Sequence, residues 1–135
     1  MKFYFWIISS LLFLLLSATL SGCGKRQEDK IVGEWNKISV GQIPEGTSIS
    51  WTFSADHKLY RYTKSSSDSI IIDTAQWSLT IHFASDNVLL IDNLDEFNNG
   101  KHFIHELGDY LKLQRFESSN GNTEAAFLWN EFEKK

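Results

Sequence analysis

The chain has 135 residues, a formal net charge of −4 and one cysteine. That length suits one domain, and the acidic balance supplies no basic face for nucleic acid or an anionic lipid surface. A single cysteine rules out a disulfide within the chain, so the folded part must hold together by its core.

At the start, Lys2 is followed by Phe3–Leu16, apolar except for Ser9 and Ser10, and then by Ser17, Ala18 and Thr19. A basic start, an apolar stretch and a small-residue site form the secretory signal pattern. Phe3–Leu20 is also just long enough, at about 18 residues, to cross a bilayer as an uncleaved anchor, so its end decides. Leu20-Ser21-Gly22-Cys23 resembles the lipobox of bacterial lipoproteins: an aliphatic residue, two small residues, then cysteine. The resemblance implies a diacylglyceryl group on the Cys23 sulfur, cleavage before it by signal peptidase II, and acylation of the freed amine, as by palmitate. Residues 1–22 are then a leader, 23–30 the lipidated cysteine with a hydrophilic tether, and 31–135 the folded β domain.

Lipid at Cys23 suits both physics and redox chemistry. Each buried methylene contributes about 0.8 kcal/mol of membrane affinity, so two or three acyl chains hold firmly where one binds marginally. A thioether also removes the reactive thiol that an unpaired cysteine leaves in an exported protein. Cleavage takes away Lys2 and no acid, so the charge of the remaining side chains becomes −5.

Gly24–Lys30 (GKRQEDK) is all charge and amide after its glycine and reads as a solvated spacer. By resemblance to enteric-type lipoproteins, Gly24 in place of an inner-membrane aspartate implies delivery to the outer membrane. Gln27-Glu28-Asp29 resembles part of a surface-export signal, and an ordinary spacer reads equally well, so periplasmic and surface faces both stay open.

From Ile31 onward the dominant period is two. Gly33–Val40 reads as a first strand, and Ile49, Trp51 and Phe53 alternate within ISWTF. The turn Ser54–His57 leads into Lys58–Thr63, rich in β-favouring tyrosine. Ser69–Asp73 (SIIID) is a short apolar run. In Ala75–Phe83, Ala75, Trp77, Leu79, Ile81 and Phe83 share one side, the signature of a half-buried strand. Asn87–Ile91 follows. Asn98-Asn99-Gly100 signals a hairpin, because Asn-Gly tolerates positive φ. Lys101–Leu107, the two-residue turn Gly108-Asp109 and Tyr110–Phe116 continue the pattern to the loop Ser118–Asn122. The segment Ala125–Phe132 fits a strand, with a closing helix as the alternative.

Eight or nine short strands with regular turns and no intervening helices predict an all-β antiparallel fold, a barrel or a sandwich. An up-and-down barrel also removes exposed edges. Gly33-Glu34-Trp35, at the start of the first strand, resembles the Gly-x-Trp motif of lipocalin-type barrels. The succession GEWNKISV, ISWTFSADHKLYRY, YLKLQRF and FLWNEF is similar to lipocalin-like domains of small bacterial lipoproteins. That resemblance implies an eight- or nine-stranded barrel, a tryptophan plugging its closed end, and Gly33 and Trp35 in structural roles. It also implies a cation packed on the tryptophan, for which Arg115 is the candidate.

Chemistry-bearing patterns are weak by comparison. His102, His105 and Glu106 suggest a metal site, but residues three apart on a strand point to opposite faces, and zinc needs three or four converging ligands. His57 and His82 read as surface residues. Asp92, Asp95, Glu96 and Asn98 make an acidic loop without the order of a calcium-binding loop, and read as a solvated hairpin loop. Ser65-Ser66-Ser67 has no glycine elbow. No catalytic residue, metal ligand or cofactor is expected beyond the covalent lipid. The resemblance implies a non-enzymatic envelope lipoprotein binding a small apolar or amphipathic ligand. The alternative is a protein-interaction subunit or inhibitor at the outer membrane, reaching partners through its loops.

Overall fold

A computed structural model describes residues 25–38, 43–67, 69–82, 84–121, 123 and 128–135. Leu20-Ser21-Gly22-Cys23 lies outside the described residues, as do Val40, Phe83 and Ala125–Phe127. A short helix over residues 25–31, α1, precedes eight strands: β1 (Gly33–Lys37), β2 (Ser48–Phe53), β3 (Lys58–Lys64), β4 (Ile70–Thr80), β5 (Asn87–Asp92), β6 (Gly100–Leu107), β7 (Tyr110–Ser118) and β8 (Leu128–Lys134). Each pairs antiparallel with its sequence neighbours, and β8 returns to β1, giving a closed up-and-down barrel. The expected all-β barrel is therefore what the chain forms.

Four local expectations change. Ser69–Asp73 and Ala75–Phe83 are not two strands. β4 runs through Thr74, a β-branched residue that keeps the pleat going, so the strands number eight. Part of the segment read as tether, residues 25–30, is helical and continues into Ile31, which is fully buried. Asn98-Asn99-Gly100 is not a tight hairpin turn. It is the end of a seven-residue loop, 93–99, and the positive φ angles fall at Asn93 (67°) and Gly100 (123°). Finally, the cation over Trp35 is Lys134 of β8, with Nζ 5.1 Å from the ring centroid. Arg115 lies on β7, inside the barrel near the other end.

The core follows from period-two alternation. Trp35, Trp51, Phe53, Leu59, Ala75, Trp77, Leu89, Ile91, Leu111, Leu113 and Phe132 all point inward and are buried. Trp51 packs on Phe132 with centroids 4.7 Å apart, and Phe53 meets Trp77 edge-on at 5.6 Å. At about 1.5–3 kcal/mol per large side chain buried, this layer makes a disulfide unnecessary. These side chains form one contiguous buried cluster across the barrel. Irregularities in β6 at Lys101/His102 and Ile104/Glu106 shift its phase, so that Leu107 rejoins the core side.

The two ends differ. At one end α1 lies under the barrel, with Ile31 in the core and its carbonyl accepting a 2.7 Å hydrogen bond from Trp35 Nε1. The connections there are short: 54–57, 81–86 and 108–109. The opposite end, the mouth, carries the longer connections, among them 93–99.

Candidate functional site

Above the apolar layer, the inward positions become polar. The alternation that aims Leu59, Leu111 and Leu113 at the core also aims Arg61 and Arg115 inward. The same logic brings in Lys37 after Trp35, Asp73 before Ala75, His102 before Ile104, and Asn130 before Phe132. Six of the eight strands thus change from apolar to polar as they near the mouth, while β2 stays apolar through Ile49. Among the described residues, the polar layer holds Lys37, Arg61 and Arg115 against the carboxylates of Asp73 and, from the loop, Asp95.

Loop 93–99 is drawn into this layer and caps the mouth. Arg61 donates to Asp73 Oδ2 from Nε (2.9 Å) and Nη2 (2.7 Å), while its Nη1 pairs with Asp95. Asp95 Oδ1 in turn accepts from the backbone N–H groups of Phe97 and Asn98, which sets the loop's turn. Burial alone pulls the Arg61 pKa down, but the two carboxylates outweigh it and hold the group firmly charged. Burial likewise pushes the Asp95 carboxyl up, and its bonds from Asn98 and Arg61 reverse that, leaving it below its usual range. The loop expected to be solvated is instead pinned by charge-assisted bonds, the strong kind.

Three further side chains hold the same loop from below. Arg115, 5% exposed, donates to the carbonyls of Glu96 (2.6 Å) and Asn99 (3.4 Å). His102 Nε2–H donates to the Asn98 carbonyl at 2.8 Å, and Asn130 Nδ2 reaches Asn98 Oδ1 at 3.3 Å. His102 is fully buried, and that burial, partly offset by the Asn98 carbonyl and reinforced by Arg115, lowers its pKa to about 4. His105 points out: it bonds Gln114 at 2.8 Å and lies over Trp129. The two imidazoles therefore face opposite sides of the wall, and among the described residues no group of three His, Cys, Asp or Glu could hold a metal ion.

Beside this cap lies a cavity of about 230 Å³, lined by Lys37, Phe97, Asn98, Leu128, Trp129 and Asn130. It sits where the seam of the barrel opens: β1 ends at Lys37, opposite Phe132, while β8 begins at Leu128. The lining divides into an apolar half (Phe97, Leu128, Trp129) and a polar half (Lys37, Asn98, Asn130). Burial, and then the neighbouring Arg61 charge, lower the Lys37 pKa, with Asp95 opposing. Lys37 has no ion-pair partner among the described residues. Such a space can take a small molecule with an oxygen-bearing end on the ammonium and amides and a short apolar part on the rings. A second depression, about 420 Å³, lies at the edge of the wall between β1, β2 and β3, with Glu34, Asn36, Ser50 and Tyr62 in its lining.

Of the residues singled out from sequence, Gly33 and Trp35 sit at the closed end. Gly33 has φ 138° and passes close to the Lys134 side chain, and Trp35 is fully buried. His57 and His82 are exposed, and Asp92 ends β5. The mouth cluster of Lys37, Arg61, Asp73, His102, Arg115 and Asn130 escaped sequence reasoning. Its signal was present, since each is a polar residue at an inward phase of an alternating strand. The chain matches no family model and no curated protein.

Proposed function

We propose that the chain is a membrane-anchored cell-envelope lipoprotein whose lipocalin-like barrel takes a small amphipathic ligand at its mouth. The observation that carries this reading is the mixed lining of the 230 Å³ cavity, which brings Lys37, Asn98 and Asn130 together with Phe97, Leu128 and Trp129. Ligand sites are usually concave, mostly apolar and fitted with a few placed polar groups, over about 300–1,000 Å³. The smaller volume here, above a packed core, restricts the ligand to a short chain or to the head of a longer one. The anchor rests on the likeness of Leu20-Ser21-Gly22-Cys23 to a lipobox, and no catalytic role is assigned.

The test is titration with octanoate, followed through tryptophan emission, since Trp129 lines the cavity. A saturable change that is lost or weakened severalfold in Lys37→Met supports the proposal. No saturable change, or an identical one in both proteins, overturns it. The alternative role, a non-enzymatic interaction subunit at the outer membrane, draws on a different feature: the exposed isoleucines of β4.

A further inference from the structure

β4 outruns its neighbour on one side. It pairs with β3 from Gln76 opposite Lys58 as far as Ile70 opposite Lys64. With β5 it pairs only from Gln76 to Thr80. Residues 70–75 therefore have a strand on one edge alone. The hydrogen-bond phase can be read from the flanking bonds, in which Trp77 N–H donates to the His57 carbonyl and Ser65 N–H to the Ser69 carbonyl. Antiparallel ladders alternate every second residue, so Ile71, Asp73 and Ala75 turn their backbone groups toward β3. Ile70, Ile72 and Thr74 turn theirs to the open side, where no backbone group of the described residues meets them.

The loop that could have covered this edge goes elsewhere. Asn93, at φ 67°, turns the chain at the end of β5, and Arg61 draws Asp95 into the mouth. The uncovered segment is also apolar: Ile70, Ile71 and Ile72 are 59%, 59% and 57% exposed. Asp73, the one charged side chain from 70 to 75, is occupied by Arg61. Long, uncharged, β-branched edges without proline are templates for strand pairing, and proteins ordinarily protect them. A bilayer would not satisfy this one, because lipid offers nothing to the free N–H and C=O groups.

We infer that this edge pairs, antiparallel, with the same edge of a second copy of the chain. The pattern is self-complementary about a two-fold axis at Ile72. The N–H and C=O of Ile72 meet those of the partner's Ile72, and those of Ile70 meet the partner's Thr74, giving three hydrogen-bonded residue pairs. The outer face of the seam carries only Ile and Thr, so two acidic chains meet here without like charges in contact. Sliding the register by two residues one way sets Ile70 against the partner's Gln76, whose edge β5 already holds, and the other way carries Thr74 past the start of the partner's β4, so the register centred on Ile72 is favoured. The product is a continuous four-stranded sheet across two barrels, a strand-addition contact.

Full-length chain extracted from membranes in mild detergent provides the test, with Cys23 the only native cysteine. In Ile72→Cys, two thiols face each other across a pair whose Cα atoms lie about 5.5 Å apart, within the span of a disulfide. Oxidation should yield a covalent dimer of Ile72→Cys. Ile70→Cys and Thr74→Cys alone should stay at the background of the parent chain, and mixing those two should restore the dimer. Ile72→Lys should be monomeric by light scattering where the parent is dimeric. A monomeric parent, equal cross-linking at all three positions, or an Ile72→Cys adduct to a different polypeptide would each overturn the inference. The side chain of Ile72 is exposed and its N–H free, so none of these variants disturbs the barrel's own bonds.

Discussion

His102 shows how much one inward-pointing side chain can govern. Its Nε2–H is committed to the Asn98 carbonyl, so Nδ1 carries the lone pair, and it has no partner among the described residues. Burial is the main reason its pKa falls from 6.5 to about 4. Because the folded value lies below the unfolded one, the unfolded chain binds the additional proton between those two pH values. The full stability is therefore present above about pH 6.5 and declines as pH drops toward 4, by a total on the order of 3 kcal/mol. Urea unfolding measured at several pH values should show this slope, and His102→Gln should flatten it. A parent protein whose midpoint is indifferent to pH over that interval would contradict the assignment.

At the scale of the element, β6 depends on its first residue. Gly100 has φ 123°, and a Cβ there would lie 2.1 Å from the Glu117 carbonyl oxygen and 2.8 Å from Ser118 Cα. Both are backbone atoms of β7 and cannot swing aside. Gly100→Ala should therefore cost roughly 3–5 kcal/mol or prevent folding, among the larger effects of a single substitution. Gly121→Ala, also at positive φ but with nothing within 4 Å of its Cβ, should cost only the left-handed strain of about 1–2 kcal/mol. Equal urea midpoints for the two variants would refute the argument from contact.

The same elements mark how far the sequence could be read. Alternation exposed the core faces of β2 and β4, because Trp51 with Phe53 and Ala75 with Trp77 are both inward and apolar. It did not show that SIIID and AQWSLTIHF form one strand, since Thr74 can sit equally well in a strand or at a break. Nor did it reveal the capped mouth. Loop 93–99 takes its shape from Arg61, 34 residues before its Asp95 partner, and from Asn130, 32 residues after Asn98. Local composition makes IDNLDEFNNG look solvated, and only long-range partners make it a lid. The cation over Trp35 is hidden for a related reason: Lys134, not Arg115, reaches the ring through the closing pair of strands, a contact no local pattern encodes.

For the whole molecule, the arrangement is polar along the barrel axis. α1 and the end of β8 share the closed end, where Lys134 Nζ bonds the Lys30 carbonyl at 3.2 Å. Cys23 lies two residues before the start of α1, and two residues of chain span about 7 Å at most. A lipid on that sulfur would bring the closed end against the membrane and turn the mouth and the free edge of β4 outward. Cys23→Ser should therefore leave the chain unlabelled by radioactive fatty acid and release it from the membrane fraction. Retention of both label and membrane would refute the anchor.

Closure of the barrel has a consequence in time. Glu34 and Lys135, joined by a 2.7 Å ion pair, stand 101 positions apart, and β1 completes its pairing only with β8. Contacts between such distant segments carry the largest loop-closure entropy and form late. Until the final strand arrives, Trp35 and the edge of β1 have no permanent cover, so a chain interrupted before Leu128 leaves apolar surface and an open strand together. Before β8 docks, the folding chain is a sheet with two loose edges, the stage at which aggregation competes with folding.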